Sequence, residues 1–253
     1  MFKLVLSAGH GINTAGKRCL KSLDKNETRE WYLNDRICDK IESKLKAYEG
    51  YKLLRVDDTT GKNDVPLKTR SDSANKWGGN LYLAIHHNAG INGGNGGGVS
   101  AYVYTSPTEK SVEWQKALYS SIIEYTGLKG NRATPLVRQN LHEVREPKMA
   151  SVLLECGFMD SKTDVPIILT DNFAEQVASA CVKVIVQKGK LTKVKSNKTK
   201  FKDENKMSTW AIDSIKKVSD AGIMNGDTNG NFNPKANITR EEVAVIVANL
   251  LDK

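Results

Sequence analysis

Two histidines and one glutamate of this sequence follow apolar runs that lie close to glycines. His10 stands between two glycines after the run 4–8, His86 follows the run 81–85, and Glu155 follows three apolar residues. Short apolar runs that end in turns predict buried strands. The carboxyl ends of parallel strands form the edge at which α/β sheets bind their ligands. We therefore expect both imidazoles and the carboxylate to meet at that edge.

A second glutamate, Glu30, lies on the inward face of a predicted helix. This face continues through residues three or four positions apart, namely Asn34, Ile37, Ile41 and Leu45. A carboxylate that faces the core needs a partner, and a cation or a metal ion is the obvious one. The pattern alone also allows a glutamate that interacts with the helix dipole or caps the helix.

These four side chains are suited to hydrolysis assisted by a metal ion. Two histidines and one glutamate, with a fourth position left open, form a ligand set of catalytic zinc in several peptidases. Bound zinc lowers the pKa of water and polarises a carbonyl group, and the remaining carboxylate, Glu155, can accept the proton. No short motif of the HExxH type joins the ligands, so spacing alone leaves open that His10 is an ordinary turn histidine.

The elements that must position these groups alternate between strands and helices. Further strands are predicted at 51–56 and 99–104, and helices at 67–77, 109–126 and 171–188. We expect the first helix to begin near Asp24, with Glu27 three residues later as its capping-box partner. Because side chains alternate along a strand, only one of His86 and His87 is expected to face the site.

Two segments between these elements are predicted to be irregular. The glycine-rich segment 90–98 lacks the lysine and the spacing of a phosphate-binding loop, and we expect it to be flexible. The segment 127–150 holds four candidate substrate contacts, for which simple solvation is the alternative. They are Arg132, Arg138, His142 and Arg145.

The composition is that of a folded protein with excess positive charge. The chain has 253 residues, 39% hydrophobic and 26% charged, and a formal net charge of +9. This charge favours an anionic partner such as a nucleic acid, a membrane surface or a cell-wall polymer, but no basic helix with interleaved aromatics supports nucleic acid. No apolar run approaches the roughly 18 residues of a membrane span. The four cysteines form no CxxC pair, so we expect neither disulfides nor a thiolate zinc site.

The composition changes after residue 188. Eight lysines fall between Lys188 and Lys206 with almost no apolar residues, which predicts a solvated linker over 189–206. The segment 207–253 contains two amphipathic stretches. We therefore expect a catalytic domain over 1–188 and a small helical C-terminal module that is marginal as an independent core.

Four blocks within the first 188 residues resemble the motifs of the zinc-dependent N-acetylmuramoyl-L-alanine amidases of the amidase 3 family, in the family's order. The blocks are Gly9-His10-Gly11, Arg29-Glu30 with Asn34, Ile85-His86-His87-Asn88-Ala89 and Leu154-Glu155-Cys156-Gly157-Phe158. One departure is Met159-Asp160-Ser161, where the family's motif leads us to expect an asparagine.

The resemblance implies an α/β fold with a twisted, mostly parallel sheet flanked by helices. It assigns one zinc ion to His10, Glu30 and His86, and the role of catalytic base to Glu155. Glu27 is a minor alternative to Glu30, although the spacing to the asparagine of the same block favours Glu30. The implied reaction is hydrolysis of the amide bond between N-acetylmuramic acid and L-alanine in peptidoglycan.

The C-terminal module resembles an S-layer homology motif. The resemblance rests on Ala221-Gly222-Ile223, Phe232-Asn233-Pro234 and Ile238-Thr239-Arg240-Glu241. Such motifs bind anionic cell-wall polymers, typically in sets of three, so a single copy implies self-association of chains or a weaker or different role. Trp210 and Arg240 are the candidate polymer contacts, with a buried tryptophan and an ordinary surface arginine as the alternatives.

The sequence as a whole predicts a zinc amidase that degrades the wall of a Gram-positive cell. Met1-Phe2-Lys3 leads directly into the first strand without an export signal. We therefore expect a phage endolysin, made in the host cytoplasm and acting on the wall after release. An alternative enzyme is a zinc peptidase that cuts the peptide stem. The alternative from another class is a non-catalytic wall-binding protein.

Overall fold

The computed structural model describes residues 1–194 and 199–251. The chain divides into two compact units, Met1–Val194 and Lys195–Lys253. Its strands, in order, are β1 (Phe2–Ala8), β2 (Tyr48–Glu49), β3 (Tyr51–Arg55), β4 (Leu81–Asn88), β5 (Val99–Val103), β6 (Leu136–Arg138), β7 (Ala150–Phe158) and β8 (Thr192–Lys193). Its α-helices are α1 (Glu30–Leu45), α2 (Leu67–Trp77), α3 (Glu109–Thr126), α4 (His142–Arg145), α5 (Val165–Ile168), α6 (Asp171–Gly189), α7 (Ile212–Asp220) and α8 (Arg240–Leu251).

A six-stranded, mostly parallel sheet forms the centre of the first unit. Its strand order is β3-β1-β4-β7-β5-β6, and β1, β3, β4 and β7 run parallel to their neighbours in this part of the sheet. Strand β5 pairs antiparallel with β7 and parallel with β6. The carboxyl ends of β1, β4 and β7 therefore lie side by side, and the predicted fold is confirmed.

Helices cover both faces of this sheet, because strand side chains alternate between the two faces. Leu4 and Leu6 of β1 belong to the core formed with α1, α3 and α6. Val5 of β1 and Ala84 of β4 pack on the other face with residues of α2 and α4. Because of this alternation, the side chain of each residue at the end of a strand faces the helices on one side of the sheet only.

Helix α1 begins at Glu30 rather than near Asp24, so the predicted capping box is wrong. The Asp24 carboxylate instead accepts hydrogen bonds from the backbone N–H groups of Asn26 (3.1 Å) and Thr28 (2.7 Å). The side chain thus closes a turn before the helix. Glu30 becomes the first residue of the helix, where its side chain can reach the edge of the sheet.

The predicted linker is partly folded. Strand β8 pairs antiparallel with β2, and Leu191 is buried in the core of the first unit. Phe201 belongs to the core of the second unit. Residues 195–198 of the predicted linker, and residues 252–253 of the predicted module, lie outside the described residues.

The second unit has a small core and an exposed apolar helix. Phe201, Met207 and Ile215 form the core, and helix α8 contains no buried residue. The structure leaves Trp210 82% exposed, which excludes the alternative of a buried tryptophan; Arg240 is exposed at the start of α8. Among the residues described, no helix combines the length and apolar character needed to cross a membrane.

Candidate metal centre

The three predicted metal ligands meet at the carboxyl edge of the sheet. Nε2 of His10 lies 3.4 Å from Oε1 of Glu30, and Nδ1 of His86 lies 3.2 Å from the same oxygen. One candidate ligand atom from each residue lies within 4.8 Å of the others. The cluster thus combines a residue after β1, the first residue of α1 and a residue near the end of β4.

The backbone around His10 is shaped by Gly9 and by a buried arginine. A Cβ atom at Gly9 would lie 2.1 Å from Cε1 of His86, so only glycine allows this close approach. His10 has a φ of +67°, a left-handed conformation that is uncommon for residues other than glycine. The guanidinium of Arg70 donates hydrogen bonds to the carbonyl oxygens of Ala8 (2.6 Å) and His10 (3.3 Å), which stabilises this conformation.

The Glu30 carboxylate is held by several donors. Its Oε1 accepts hydrogen bonds from the backbone N–H of His87 (3.2 Å) and from Nδ2 of Asn34 (3.4 Å). Burial would raise the pKa of Glu30, but the neighbouring imidazoles of His10 and His86 outweigh burial and hold this pKa well below its usual range. A buried anion therefore lies between the two imidazoles.

The structure places the two alternatives to these ligands outside the cluster. Glu27 Oε1 lies 3.1 Å from Nε of Arg18, in an ion pair of the preceding loop. His87 Nδ1 lies 2.8 Å from Oδ1 of Asn34 and faces α1. Only His86 of the histidine pair contacts Glu30 through its ring, as the alternation along a strand predicts.

His86 lies between two carboxylates, because its Nδ1 faces Glu30 and its Nε2 lies 2.9 Å from Oε2 of Glu143. Burial would lower the pKa of His86, but hydrogen bonds to Glu143 and Glu30 raise it to about 10. Burial would raise the pKa of Glu143, but the hydrogen bond with His86 and the charges of His86 and Arg70 lower it to about 2. The two glutamates therefore favour a positive charge on the His86 ring.

The donor set and its spacing fit a zinc ion. Nε2 of His10 and Oε2 of Glu30 are buried without a hydrogen-bond partner among the described residues. An unpaired buried polar atom costs about 1–3 kcal/mol, and a bound cation would satisfy both atoms. Ligand atoms about 2.0–2.2 Å from a tetrahedral zinc ion lie about 3.3–3.6 Å apart, close to the 3.4 and 3.2 Å found here.

Glu155 lies beside the cluster as a further carboxylate. It is the register partner of His86 across β4 and β7, and its Oε2 is buried without a partner in the described part of the chain. Burial raises the pKa of Glu155 to about 8, although the charges of His86 and Lys17 oppose this shift. A carboxyl group with a pKa near neutrality can both accept and donate a proton.

Two basic side chains border the site. Nζ of Lys17 lies 3.6 Å from Oε2 of Glu30, and the Arg132 guanidinium lies 5.4 Å from the centroid of the Phe158 ring. The charges of both lower the pKa of Glu155. Arg132 is one of the predicted substrate contacts, whereas Lys17 lies in a polar loop without a periodic pattern that could have marked it.

The other predicted contacts of segment 127–150 have different partners. Arg145 pairs with Glu146 at 2.6 Å, His142 Nε2 lies 3.1 Å from Oγ of Ser71, and Arg138 lies on the short strand β6. The segment is therefore more regular than predicted, since it contains β6 and α4.

Glu143 of α4 carries no signal in the sequence. It lies among polar and charged residues that are typical of a solvated turn. It is nevertheless buried, and it contacts His86, which lies 57 positions earlier in the chain. Only the tertiary structure marks it as part of the site.

The glycine-rich segment 90–98, which the sequence predicts to be flexible, is anchored by backbone hydrogen bonds to two aspartates. Asp160 Oδ2 accepts hydrogen bonds from three successive backbone N–H groups, those of residues 90–92, at 2.8, 2.8 and 2.7 Å. Asp164 Oδ2 accepts another from Gly98 at 2.7 Å. These carboxylates satisfy backbone donors that an external anion could otherwise bind.

Two protein families match this chain. The sequence model described as N-acetylmuramoyl-L-alanine amidase matches residues 4–187, and the S-layer homology domain matches residues 200–244. The first match covers nearly all of the six-stranded sheet and its helices, and every residue of the candidate metal centre. The second covers most of the described part of the second unit.

Individual relatives agree with these matches. The sporulation-specific N-acetylmuramoyl-L-alanine amidase of Bacillus subtilis (strain 168) is 28% identical over 200 residues, which are 78% of this chain and 72% of the relative. The endolysin of Bacillus phage SPP1 is 30% identical over 212 residues, which are 83% of this chain and 74% of the relative. The crystal structure of an N-acetylmuramoyl-L-alanine amidase from Clostridium difficile 630 gives a TM-score of 0.66 at 25% identity, and the match covers 74% of this chain and 95% of that one.

Proposed function

Since this chain belongs to the N-acetylmuramoyl-L-alanine amidase family, we propose that it performs the peptidoglycan amidase reaction with one zinc ion held by His10, Glu30 and His86. The bond hydrolysed is the amide between N-acetylmuramic acid and L-alanine. The peptidoglycan amidase activity follows from family membership. The metal ion, the roles of the residues and the biological setting are our proposals.

One observation carries the assignment of the metal. Two imidazole nitrogens and a carboxylate oxygen from three separate elements converge within 4.8 Å, and two atoms of this group are buried without a hydrogen-bond partner among the described residues. A buried cluster of this kind is costly unless a cation neutralises it. Nitrogen and oxygen donors at these separations suit zinc.

The roles of the protein groups follow from their positions. Zinc in this site would polarise the scissile carbonyl and lower the pKa of water. Glu155 accepts the proton of the attacking water and returns it to the nitrogen of L-alanine, because its register beside His86 places it at the same edge. Lys17 and Arg132 add positive charge to this edge, which favours an anionic substrate.

We also propose that the second unit directs the enzyme to the wall. The match to the S-layer homology domain supports binding of an anionic wall polymer, for which exposed Trp210 and Arg240 are the proposed contacts. The exposed apolar residues of α8, Val243, Val245, Val247, Leu250 and Leu251, supply a surface through which single modules of several chains associate.

The setting that we propose is phage lysis of a Gram-positive host, with synthesis in the host cytoplasm and release to the wall. The similarity to the endolysin of a Bacillus phage supports this setting. Expression of the chain in such a host should cause lysis only when a membrane-pore protein is also expressed. Lysis by the chain alone would contradict release by a separate protein.

The products formed from purified walls test the reaction. The chain is stripped with a chelator and assayed before and after zinc is added back. Free amino-terminal L-alanine together with intact N-acetylmuramic acid, seen by mass spectrometry only after reloading, is the expected result. New amino termini within the stem would identify a zinc peptidase, and binding without cleavage would identify a wall-binding protein.

A further inference from the structure

The Glu143 carboxylate is the centre of a buried network behind the proposed metal centre. Its Oε2 lies 2.9 Å from Nε2 of His86. Its Oε1 accepts hydrogen bonds from Oγ of Ser7 and from the hydroxyl of Tyr82, both at 2.8 Å. All four residues are buried, so these contacts are shielded from competition with water.

The network also links the two histidine-bearing strand ends. Arg70 donates to Oγ of Ser7 at 2.9 Å and to the carbonyl oxygen of Ala8 at 2.6 Å. Its positive charge compensates the buried Glu143 carboxylate, which would otherwise be costly. A single arginine therefore supports the backbone that leads to His10 and the carboxylate that contacts His86.

The hydrogen-bond pattern selects one form of the His86 ring. An ionised carboxylate only accepts hydrogen bonds, so Nε2 of His86 must carry a proton and donate the hydrogen bond to Glu143. Nδ1 faces Oε1 of Glu30 at 3.2 Å, and it is then the ring nitrogen left to bind a metal ion in the zinc-loaded protein. Ser7 and Tyr82 fix the orientation of Glu143 because both donate to its other oxygen.

We propose that Glu143 is a positioning residue of the metal centre, which holds His86 in the Nε2–H form and aims Nδ1 at the metal. This inference rests on the proposed zinc site. Carboxylates that hold ligand histidines in this way typically change metal affinity by about 10–100-fold when they are removed. A purely structural role would instead affect folding and leave the affinity of the folded protein unchanged.

Zinc affinity of the full chain, measured by competition with a chromophoric chelator, tests this role. Glu143→Gln preserves the shape of the side chain and removes its charge, and we expect about 10–100-fold weaker zinc binding. The matched control is Glu146→Gln, three residues further on in an exposed ion pair with Arg145, which should bind zinc as the wild type does. Equal affinities of the wild type and folded Glu143→Gln would overturn the inference.

A measurement on the wild type keeps the test independent of whether the variant folds. The ¹⁵N resonances of the His86 ring in the zinc-loaded protein should show a protonated Nε2 and a metal-bound Nδ1. Comparison with His142→Gln simplifies the assignment, since the chain has four histidines. Zinc bound through Nε2 would overturn the role of Glu143 while leaving the zinc enzyme intact. A wild type that binds no zinc would overturn the proposed function, and this inference with it.

Discussion

His86 and Glu155 are register partners on the neighbouring parallel strands β4 and β7. Neighbouring strands lie about 4.8 Å apart, so the pairing alone places a candidate ligand and a candidate base at the same edge. The two side chains nevertheless differ in environment. Two carboxylates contact the His86 ring, whereas Oε2 of Glu155 has no partner among the described residues. One strand pair thus carries a candidate ligand that is held on both sides and a candidate base with a free carboxylate oxygen.

The first prediction separates the base from the ligands. Glu155→Gln should keep about one zinc ion per chain, since it removes no ligand, and should lower wall hydrolysis by about 10²–10⁴-fold because it removes the proton acceptor. Zinc content by mass spectrometry and the initial rate on purified walls are measured on the same preparation. Loss of zinc from this variant would instead make Glu155 a ligand.

The second prediction distinguishes the two glutamates near the start of α1. Glu30→Gln should weaken zinc binding by more than about 100-fold, which exceeds the usual effect of a group that only supports a ligand. Glu27→Gln is the matched control, because Glu27 pairs with Arg18 in the loop and should leave zinc affinity unchanged. Zinc affinity is measured by chelator competition. If Glu27→Gln weakened zinc binding and Glu30→Gln did not, Glu27 would be the ligand.

The third prediction concerns the anchor of the glycine-rich segment 90–98. Asp160→Ala removes the acceptor of three backbone N–H groups, so the free energy of unfolding should fall by about 1–3 kcal/mol. Asp160→Asn keeps an acceptor oxygen and should lose less. Urea unfolding measures both, and faster hydrogen exchange of the amides of residues 90–92 should accompany the loss.

Asp72→Ala is the control for this experiment. Asp72 forms an exposed pair with Lys68 at 2.6 Å, and such pairs contribute about 0–1 kcal/mol. If Asp160→Ala were no less stable than Asp72→Ala, the segment would not depend on the aspartate.

The fourth prediction concerns the second unit. Trp210→Ala should reduce retention on walls that contain anionic polymer, because an exposed aromatic ring supplies a large contact area. The rate on a soluble muropeptide should not change. Tyr125→Ala, which alters a partly exposed aromatic residue of the first unit, is the control and should leave retention intact. Equal retention of all three proteins would exclude Trp210 as a contact.

Local patterns in the sequence were sufficient for much of the fold and for the ligand set. Apolar runs marked the ends of β1, β4 and β7, and the glycines after Trp77 marked the end of α2 (Leu67–Trp77) as observed. These signals are reliable because they depend on residues that are neighbours in the chain. The proposed ligands and base were accessible for the same reason, with the family resemblance adding their roles.

Contacts between distant residues were decided only by the tertiary structure. The Asp24 side chain could close a turn or cap a helix, and the observed path of the chain selects the turn. Glu143 contacts His86 across 57 positions and Ser7 across 136, although its own neighbours suggest a solvated residue. Such partners meet because strands and helices pack into layers, and no local periodicity encodes which polar groups that packing brings together.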